Sequence, residues 1–148
     1  MTSKAKIVIG AIEVCHLPEL SIADLHARVD TGAKTSSLHV DNIQRLKKDG
    51  RTWVAFDIHP DIYNVDKVVP CEAPLFDVRR VKSSNGKSEE RYVIKTLLDL
   101  GGQQWPIEIT LTDRSDMSYL MLLGREGMGD RVLVDPSENF VLPDSAKT

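Results

Sequence analysis

The group with the clearest chemical potential in this sequence is the carboxylate of Asp30, within Asp30-Thr31-Gly32. A predicted strand, His26-Ala27-Arg28-Val29, precedes it, and a second short motif, Leu122-Leu123-Gly124-Arg125, follows about ninety residues later. Two carboxylates that share one proton can activate a water molecule and protonate a leaving group, because two like charges held close together cannot both ionise. An Asp-Thr-Gly alone is a weak indicator of a catalytic carboxylate, so the surrounding sequence must support it.

A pair of carboxylates would need a second chain. The sequence holds a single Asp-Thr-Gly, and the remaining acidic residues show no second copy. A symmetric homodimer with its two-fold axis through the site would bring Asp30 of each chain together. Gly32 would let the backbone approach the carboxylate and a substrate closely.

The elements that must position these motifs are mostly short strands. Val54, Phe56 and Ile58 alternate with more polar residues, which is typical of a half-buried strand. Asn85-Gly86 predicts a hairpin turn, because both residues tolerate positive φ, and Gly101-Gly102 predicts another turn. Many short strands with closely spaced turns predict an all-β sandwich or small barrel.

Several local expectations follow from the same patterns. Leu38 to Lys48 and the region from Arg125 to Gly129 also permit helix. Three prolines predict irregular structure in the middle of the chain: Pro60, Pro70 and Pro74. The remaining predicted strands are Ile7 to Val14, Thr35 to Val40, Leu75 to Val81, Glu90 to Leu98, Trp105 to Leu111, Val132 to Val134 and Phe140 to Leu142.

The order of the motifs resembles that of retropepsins, the single-domain aspartic peptidases. It runs from Val29-Asp30-Thr31-Gly32-Ala33 through the hairpin at Asn85-Gly86 to Leu122-Leu123-Gly124-Arg125. The sequence is still more similar to a bacterial family labelled ATP-dependent zinc proteases and discussed together with the glutamate ligase RimK. The further segments that carry this resemblance are residues 27–39, Cys71-Glu72-Ala73-Pro74, Trp105-Pro106-Ile107-Glu108 and Met121-Leu122-Leu123-Gly124-Arg125.

The resemblance covers nearly the whole chain and implies one retropepsin-like domain over residues 1–148. It implies a closed or partly open β-barrel with one short C-terminal helix, and a flap hairpin at about residues 75–98. The implied activity is that of a homodimeric aspartic endopeptidase with Asp30, Thr31 and Gly32 as catalytic residues, in which Thr31 hydrogen-bonds across the two-fold axis. Gly124 and Arg125 would support the site structurally, and no cofactor is implied.

Lys34 departs from the retropepsin pattern. Retropepsins usually have an acidic residue two positions after the glycine, and it pairs with the arginine of the second motif. Arg125 therefore needs another partner, for which Glu126, Asp113 and Asp116 are candidates.

Lys34 also predicts a basic cleft, because cations crowd the neighbouring hairpin. The residues expected to bind substrate are Ala33, Lys34, Arg79, Arg80, Lys82 and Arg91. A focused positive field attracts anionic ligands, so we expect an acidic peptide substrate. The association with RimK suggests glutamate-rich tails. The alternative is a solvated edge hairpin whose charges prevent aggregation between strands.

Metal and thiol chemistry find less support in the sequence. It contains no His-Glu-x-x-His, no Cys-x-x-Cys and no phosphate-binding glycine loop, and its four histidines, including His26 and His39, are scattered. Cys15 and Cys71 are expected to be reduced structural thiols. We therefore predict no metal, while a zinc-dependent peptidase and a non-catalytic dimeric peptide-binding module of the same fold stay as alternatives.

Composition excludes several other classes. The chain has 148 residues, of which 41% are hydrophobic, and a formal net charge of -3, which argues against a nucleic-acid partner. No apolar run approaches the roughly 20 residues that span a bilayer, so no membrane partner is expected. The apolar stretch from Ile7 to Ile12 is too short for a signal-peptide core. These features predict a cytoplasmic protein.

Overall fold

The computed structural model describes residues 6–59, 67–82, 86–113 and 119–143. These ranges form short strands, a 3-10 turn at Pro18–Leu20 and one α-helix. In chain order the elements are β1 (Ile7–Ile9), β2 (Ile12–Leu17), β3 (Ile22–Val29), β4 (Ser36–His39), β5 (Asp41–Lys48), β6 (Arg51–Ile58), β7 (Val69–Pro74), β8 (Asp77–Lys82), β9 (Ser88–Leu100), β10 (Gln103–Thr112), β11 (Met121–Leu123), α1 (Arg125–Met128) and β12 (Val132–Val134).

Six of the strands close into a barrel. Their order is β10-β4-β11-β3-β2-β9, and β9 pairs with β10 to complete the ring. Closure removes the free strand edges that would otherwise invite aggregation. The prediction of an all-β barrel with one short helix near the C-terminal end is confirmed.

Alternate side chains along the strands point inward and fill the barrel. On β9 the even-numbered residues Ile94, Thr96, Leu98 and Leu100 are all buried. They lie opposite Ile109, Ile107, Trp105 and Gln103 of β10, of which the first three are also buried. Since directly opposed residues of an antiparallel pair point to the same side, one face of both strands forms the core.

A separate three-stranded sheet, β5-β6-β7, lies between β4 and β8 in the chain. Val54, Phe56 and Ile58 of β6 are buried against the core, which confirms the predicted strand. The helical alternative for Leu38 to Lys48 is wrong, because β4 and β5 are strands. The hairpin turn that joins β5 to β6 has Asp49 at φ 52° and Gly50 at φ 76°.

Two of the prolines lie within a strand rather than in irregular structure. Pro70 and Pro74 belong to β7, opposite Asp57 and Trp53 of β6. β7 is an edge strand of its sheet, so a residue without an N–H group is tolerated there. The expectation for these two positions is corrected, while Pro60 lies outside the described residues.

The terminal segments of the described chain pack together. β1 pairs in parallel with β12, and the strand predicted at Val132 to Val134 is confirmed. The segment from Phe140 to Leu142 is not a strand. It is held by the buried carboxylate of Glu13, which accepts the N–H groups of Val141 and Gly10 at 2.8 Å each.

The predicted hairpin is confirmed in its two strands. β8 and β9 pair antiparallel from Asp77 opposite Val93 to Lys82 opposite Ser88, and Asn85 of the predicted turn lies outside the described residues. No helix in the described ranges is long and apolar enough to cross a membrane.

Candidate active site

Asp30 is held at the end of a barrel strand. It follows β3 directly, and its N–H group donates to the carbonyl oxygen of Leu123 at 2.9 Å. The preceding residue, Val29, donates its N–H to the carbonyl oxygen of Ala11, also at 2.9 Å. The position of Asp30 is therefore fixed by backbone hydrogen bonds on both sides, and its side chain is half-buried.

The turn after β3 orients the Asp30 carboxylate. The N–H of Gly32 donates to Oδ1 of Asp30 at 2.9 Å, and the N–H of Ala33 donates to the Asp30 carbonyl oxygen at 3.2 Å. A Cβ atom at position 32 would lie 3.2 Å from that carboxylate oxygen, so glycine permits the close approach. This geometry presents a fixed carboxylate beside the exposed residues Thr31 and Gly32.

The two motifs that the sequence analysis singled out meet in space. The N–H of Arg125 donates to the carbonyl oxygen of Ala33 at 2.8 Å, and the N–H of Glu126 donates to that of Lys34 at 3.0 Å. The Arg125 guanidinium also donates to the carbonyl oxygen of Thr31 at 2.9 Å. The first turn of α1 thus braces the loop that carries Asp30.

Within the described residues the Arg125 guanidinium pairs with no acidic side chain, including the predicted candidates Glu126 and Asp113. Arg125 donates instead to the carbonyl oxygen of Thr31, and Glu126 pairs with Lys34 at 3.8 Å between Nζ and Oε1. That ion pair is weak, because both side chains are more than half exposed. The Lys34 side chain is therefore exposed at the rim of the site. Asp116 lies outside the described residues.

Gly124 packs directly against the loop and allows no side chain. A Cβ atom there would lie 2.7 Å from the carbonyl carbon of Thr35 and 3.0 Å from the carbonyl oxygen of Ala33. The Gly124 N–H donates to the hydroxyl of Ser36, which is fully buried. Both neighbours are backbone, so neither can rotate away.

Gly124→Ala is expected to lower the free energy of unfolding by about 3 kcal/mol, because the new methyl group overpacks a site lined by backbone. Urea denaturation followed by circular dichroism measures the change. Gly50→Asn is the matched control, since no atom lies within 4 Å of a Cβ there and asparagine tolerates its positive φ. Equal stability of Gly124→Ala and the native chain would contradict the close packing.

Ser36 and Trp105 support the site but were not predicted to do so. Ser36 binds the Gly124 N–H, and the indole N–H of Trp105 donates to the carbonyl oxygen of Gly127 in α1 at 2.7 Å. Trp105 was predicted only to begin a strand, and it is buried. The signal available in the sequence was their place inside two of the segments that carry the family resemblance.

The cations of the β8–β9 hairpin do not form one cluster. We call the face that continues the barrel interior the inner face; it carries Val78, Arg80 and Lys82 opposite Tyr92, Glu90 and Ser88. The opposite, outer face carries Arg79, Val81, Glu89 and Arg91. Alternation along a strand therefore separates the four arginines and lysines expected to bind substrate into two pairs.

The outer pair is already engaged by carboxylates. Arg79 binds Glu108 and Asp77, the latter at 2.9 Å, and the hydrogen bond from Arg79 lowers the pKa of the Asp77 carboxyl. Arg91 pairs with Glu89 at 3.4 Å, with only 14% of its side chain exposed. The inner residues Arg80 and Lys82 are exposed and form no ion pair within the described ranges. They are the better candidates for contact with a ligand.

The donor groups of the described residues do not suit a metal ion. Within those ranges no three histidine, cysteine or acidic side chains come together as a ligand set. His26 packs on the ring of Phe140 at 5.3 Å. A zinc site built from these side chains is therefore not supported.

The two cysteines are buried free thiols. Burial, with a smaller contribution from Asp99, raises the pKa of Cys15 to about 12. Burial and the nearby Asp57 raise the pKa of Cys71 to about 11. Since the thiolate is the nucleophile, both thiols are poorly suited to nucleophilic chemistry at neutral pH.

A closed barrel with one Asp-Thr-Gly loop, braced by Leu-Leu-Gly-Arg, defines a retropepsin-like fold. The sequence matches the family described as "Retropepsin-like aspartic endopeptidase RimB" over residues 8–145. The chain therefore belongs to this RimB-like family, as its motifs suggested.

A solved structure and two curated relatives are similar to this chain but carry other names. A crystal structure of a Legionella pneumophila protein of unknown function is similar with a TM-score of 0.78 and 28% identity, covering 93% of this chain and 99% of that one. Proteins named "Probable alpha-L-glutamate ligase" from Shewanella pealeana and Desulfotalea psychrophila are 50% and 48% identical to this chain over 95% and 97% of its length. This chain spans only 31% of each of those two relatives.

Proposed function

We propose that the protein is a homodimeric aspartic endopeptidase that cleaves acidic peptides. The observation that carries the proposal is the Asp30 carboxylate, which accepts the Gly32 N–H and lies in a loop whose Thr31 carbonyl oxygen accepts a hydrogen bond from Arg125. A side chain held in this way at an exposed loop is poised for acid–base chemistry. The family to which the chain belongs supports the same reaction class.

The proposed reaction uses two copies of Asp30. One carboxylate, ionised, takes a proton from a water molecule that adds to the peptide carbonyl carbon, while the protonated carboxyl donates to the carbonyl oxygen. The first Asp30 then gives its proton to the nitrogen as the carbon–nitrogen bond breaks, and a hydroxyl of the tetrahedral intermediate returns a proton to the second Asp30. These transfers leave a carboxylic acid and an amine and restore the pair. Each chain supplies one Asp-Thr-Gly, so the pair requires a symmetric dimer.

The proposed substrate class rests on charge. Lys34, with 77% of its side chain exposed, stands beside the loop, and Arg80 and Lys82 lie on the inner face of the hairpin that we propose as the flap. The relatives that contain this domain within longer chains are named glutamate ligases. A domain that removes glutamate residues would oppose such an activity, so we propose glutamate-rich tails as substrates.

The protein is expected to cleave dodecaglutamate at least about tenfold faster than a neutral peptide of equal length, because the cations attract the carboxylates. Mass spectrometry of the products measures both rates, and a chelator should change neither. Equal rates would contradict the acidic preference. Loss of cleavage with the chelator would favour a zinc-dependent peptidase, and no cleavage of either peptide would contradict the peptidase itself.

A further inference from the structure

A second basic surface lies outside the proposed cleft, on the hairpin formed by β5 and β6. Four exposed cations surround its turn: Arg45, Lys47, Lys48 and Arg51. The chain as a whole is acidic, with a net charge of -3. A local concentration of positive charge in such a protein produces a focused field that acts on anions.

Strand register divides these cations between two faces. Arg45 and Lys47 lie opposite Val54 and Thr52, on the side that β6 packs against the barrel. Lys48 lies opposite Arg51 on the other side. There Lys48 is engaged, since it pairs with Glu72 at 2.6 Å and covers the ring of Trp53 at 4.7 Å.

Arg45 connects the barrel-facing side of this hairpin to the proposed flap. Its guanidinium carbon lies 5.6 Å from the centre of the Tyr92 ring, within the range of a cation–π contact. Tyr92 belongs to the inner face of the β8–β9 hairpin, which also carries Arg80 and Lys82. The two hairpins therefore present adjoining cationic faces.

The four cations on the two adjoining faces are available to a ligand. Within the described ranges Arg45, Lys47, Arg80 and Lys82 are exposed, and none of them forms an ion pair. Glu90, directly opposite Arg80, is the acidic residue that register places on the inner face of the flap hairpin. The adjoining faces thus carry a net positive charge.

The spacing of the cations suits an extended chain rather than a single small anion. Arg45 and Lys47 are two residues apart on β5, as are Arg80 and Lys82 on β8, so each pair is separated by about 7 Å along its strand. In an extended acidic peptide every second carboxylate points to the same side, at the same spacing of about 7 Å. Successive carboxylates could therefore meet successive cations.

We infer that Arg45 and Lys47 form a second binding site, which holds the part of an acidic peptide that extends beyond the cleft. This inference rests on the proposed acidic-peptide substrate. It adds a site on the three-stranded sheet that only a long peptide reaches, so the protein would bind long acidic peptides more tightly than short ones. Tyr92 positions the Arg45 guanidinium between the two hairpins.

Binding is measured separately from cleavage, with the full chain carrying Asp30→Asn and fluorescein-labelled glutamate peptides. Adding Arg45→Gln and Lys47→Gln together is expected to weaken binding of dodecaglutamate about tenfold, because two ion pairs are lost. Binding of tetraglutamate, which spans only about 14 Å, is expected to stay within about twofold. Fluorescence anisotropy gives both dissociation constants.

The control variant carries Lys48→Gln and Arg51→Gln on the opposite face of the same hairpin, and it should bind both peptides normally. Unchanged dodecaglutamate binding in the Arg45 and Lys47 variant would overturn the inference. An equal loss for both peptide lengths would overturn it as well, because the residues would then act inside the cleft. Stronger binding of a single-stranded RNA of matched length, lost in the same variant, would assign the surface to nucleic acid instead.

Cleavage by the chain with native Asp30 separates this inference from the proposed function. Dodecaglutamate binding that depends on Arg45 and Lys47 without any hydrolysis would support the binding site and contradict the peptidase. If both peptides are hydrolysed, and the KM of each is the same in the native protein and in the Arg45 and Lys47 variant, the result would support the peptidase and contradict the binding site.

Discussion

Replacing Asp30 by asparagine is expected to lower kcat for peptide hydrolysis by about a thousandfold or more, since general acid–base catalysis contributes rate factors of this order. In the proposed dimer the change removes both carboxylates at once. The amide oxygen of asparagine can still accept the Gly32 N–H that now binds Oδ1 at 2.9 Å, so the loop should keep its conformation. Hydrolysis of a labelled glutamate peptide measures the loss.

The control for this variant is Asp130→Asn, which removes an exposed carboxylate just after α1. It should retain native activity, and both variants should keep the native circular dichroism spectrum and dimer mass. If Asp30→Asn retains more than a tenth of native activity, Asp30 does not carry the chemistry. If native protein binds acidic peptides without turnover, the chain is a peptide-binding module of the same fold.

The sequence predicts the parts of this molecule that depend on local pattern. Alternation around Val54 and along β10 indicated the strands, and the order of Asp30-Thr31-Gly32 and Leu122-Leu123-Gly124-Arg125 indicated that two distant segments form one site. The structure joins them through the hydrogen bond from Arg125 to Thr31. These short motifs are informative because few other residue types fit the backbone geometry at their positions.

Contacts between distant residues were not visible in the sequence. Arg79 looked like a substrate ligand, but Glu108 of β10, 29 residues further along the chain, is its partner. Glu13, which lies in the predicted strand Ile7 to Val14 and was given no role, is buried and binds the backbone of the chain's final described segment. In both cases the deciding partner comes from tertiary packing, which propensity and periodicity do not encode.

The proline-containing strand β7 is a second case in which the assembled structure, rather than the local sequence, decides the outcome. Proline disfavours strands in general, and only its position at the edge of a sheet makes Pro70 and Pro74 acceptable. Edge position is a property of the assembled sheet. Sequence patterns therefore predicted the barrel strands better than they predicted the strands of the separate three-stranded sheet.

The proposed dimer needs a surface next to Asp30, and the terminal strands offer one. Val8 and Leu133 lie opposite each other in the β1–β12 ladder and are 46% and 52% exposed. The described structure leaves the outer edges of both strands unpaired. Ala11, two residues after β1, accepts the N–H of Val29 directly before Asp30, so this surface adjoins the site.

Leu133→Glu is therefore expected to weaken the dimer about a hundredfold, because each chain loses the burial of an apolar side chain and gains a charge near the partner's identical charge. Sedimentation equilibrium measures the dissociation constant. Activity per chain should fall at low protein concentration and recover at high concentration, since the Asp30 loop itself is unchanged. This concentration dependence separates lost assembly from lost chemistry.

Val68→Glu is the matched control, because Val68 is 44% exposed but precedes β7 in the separate three-stranded sheet. It should leave both dimer and activity unchanged. A Leu133→Glu protein that stays dimeric and active on dilution would place the interface elsewhere. Equal loss of activity at every concentration would mean that Leu133 acts on the fold, whereas recovery on concentration would tie the chemistry of Asp30 to the presence of a second chain.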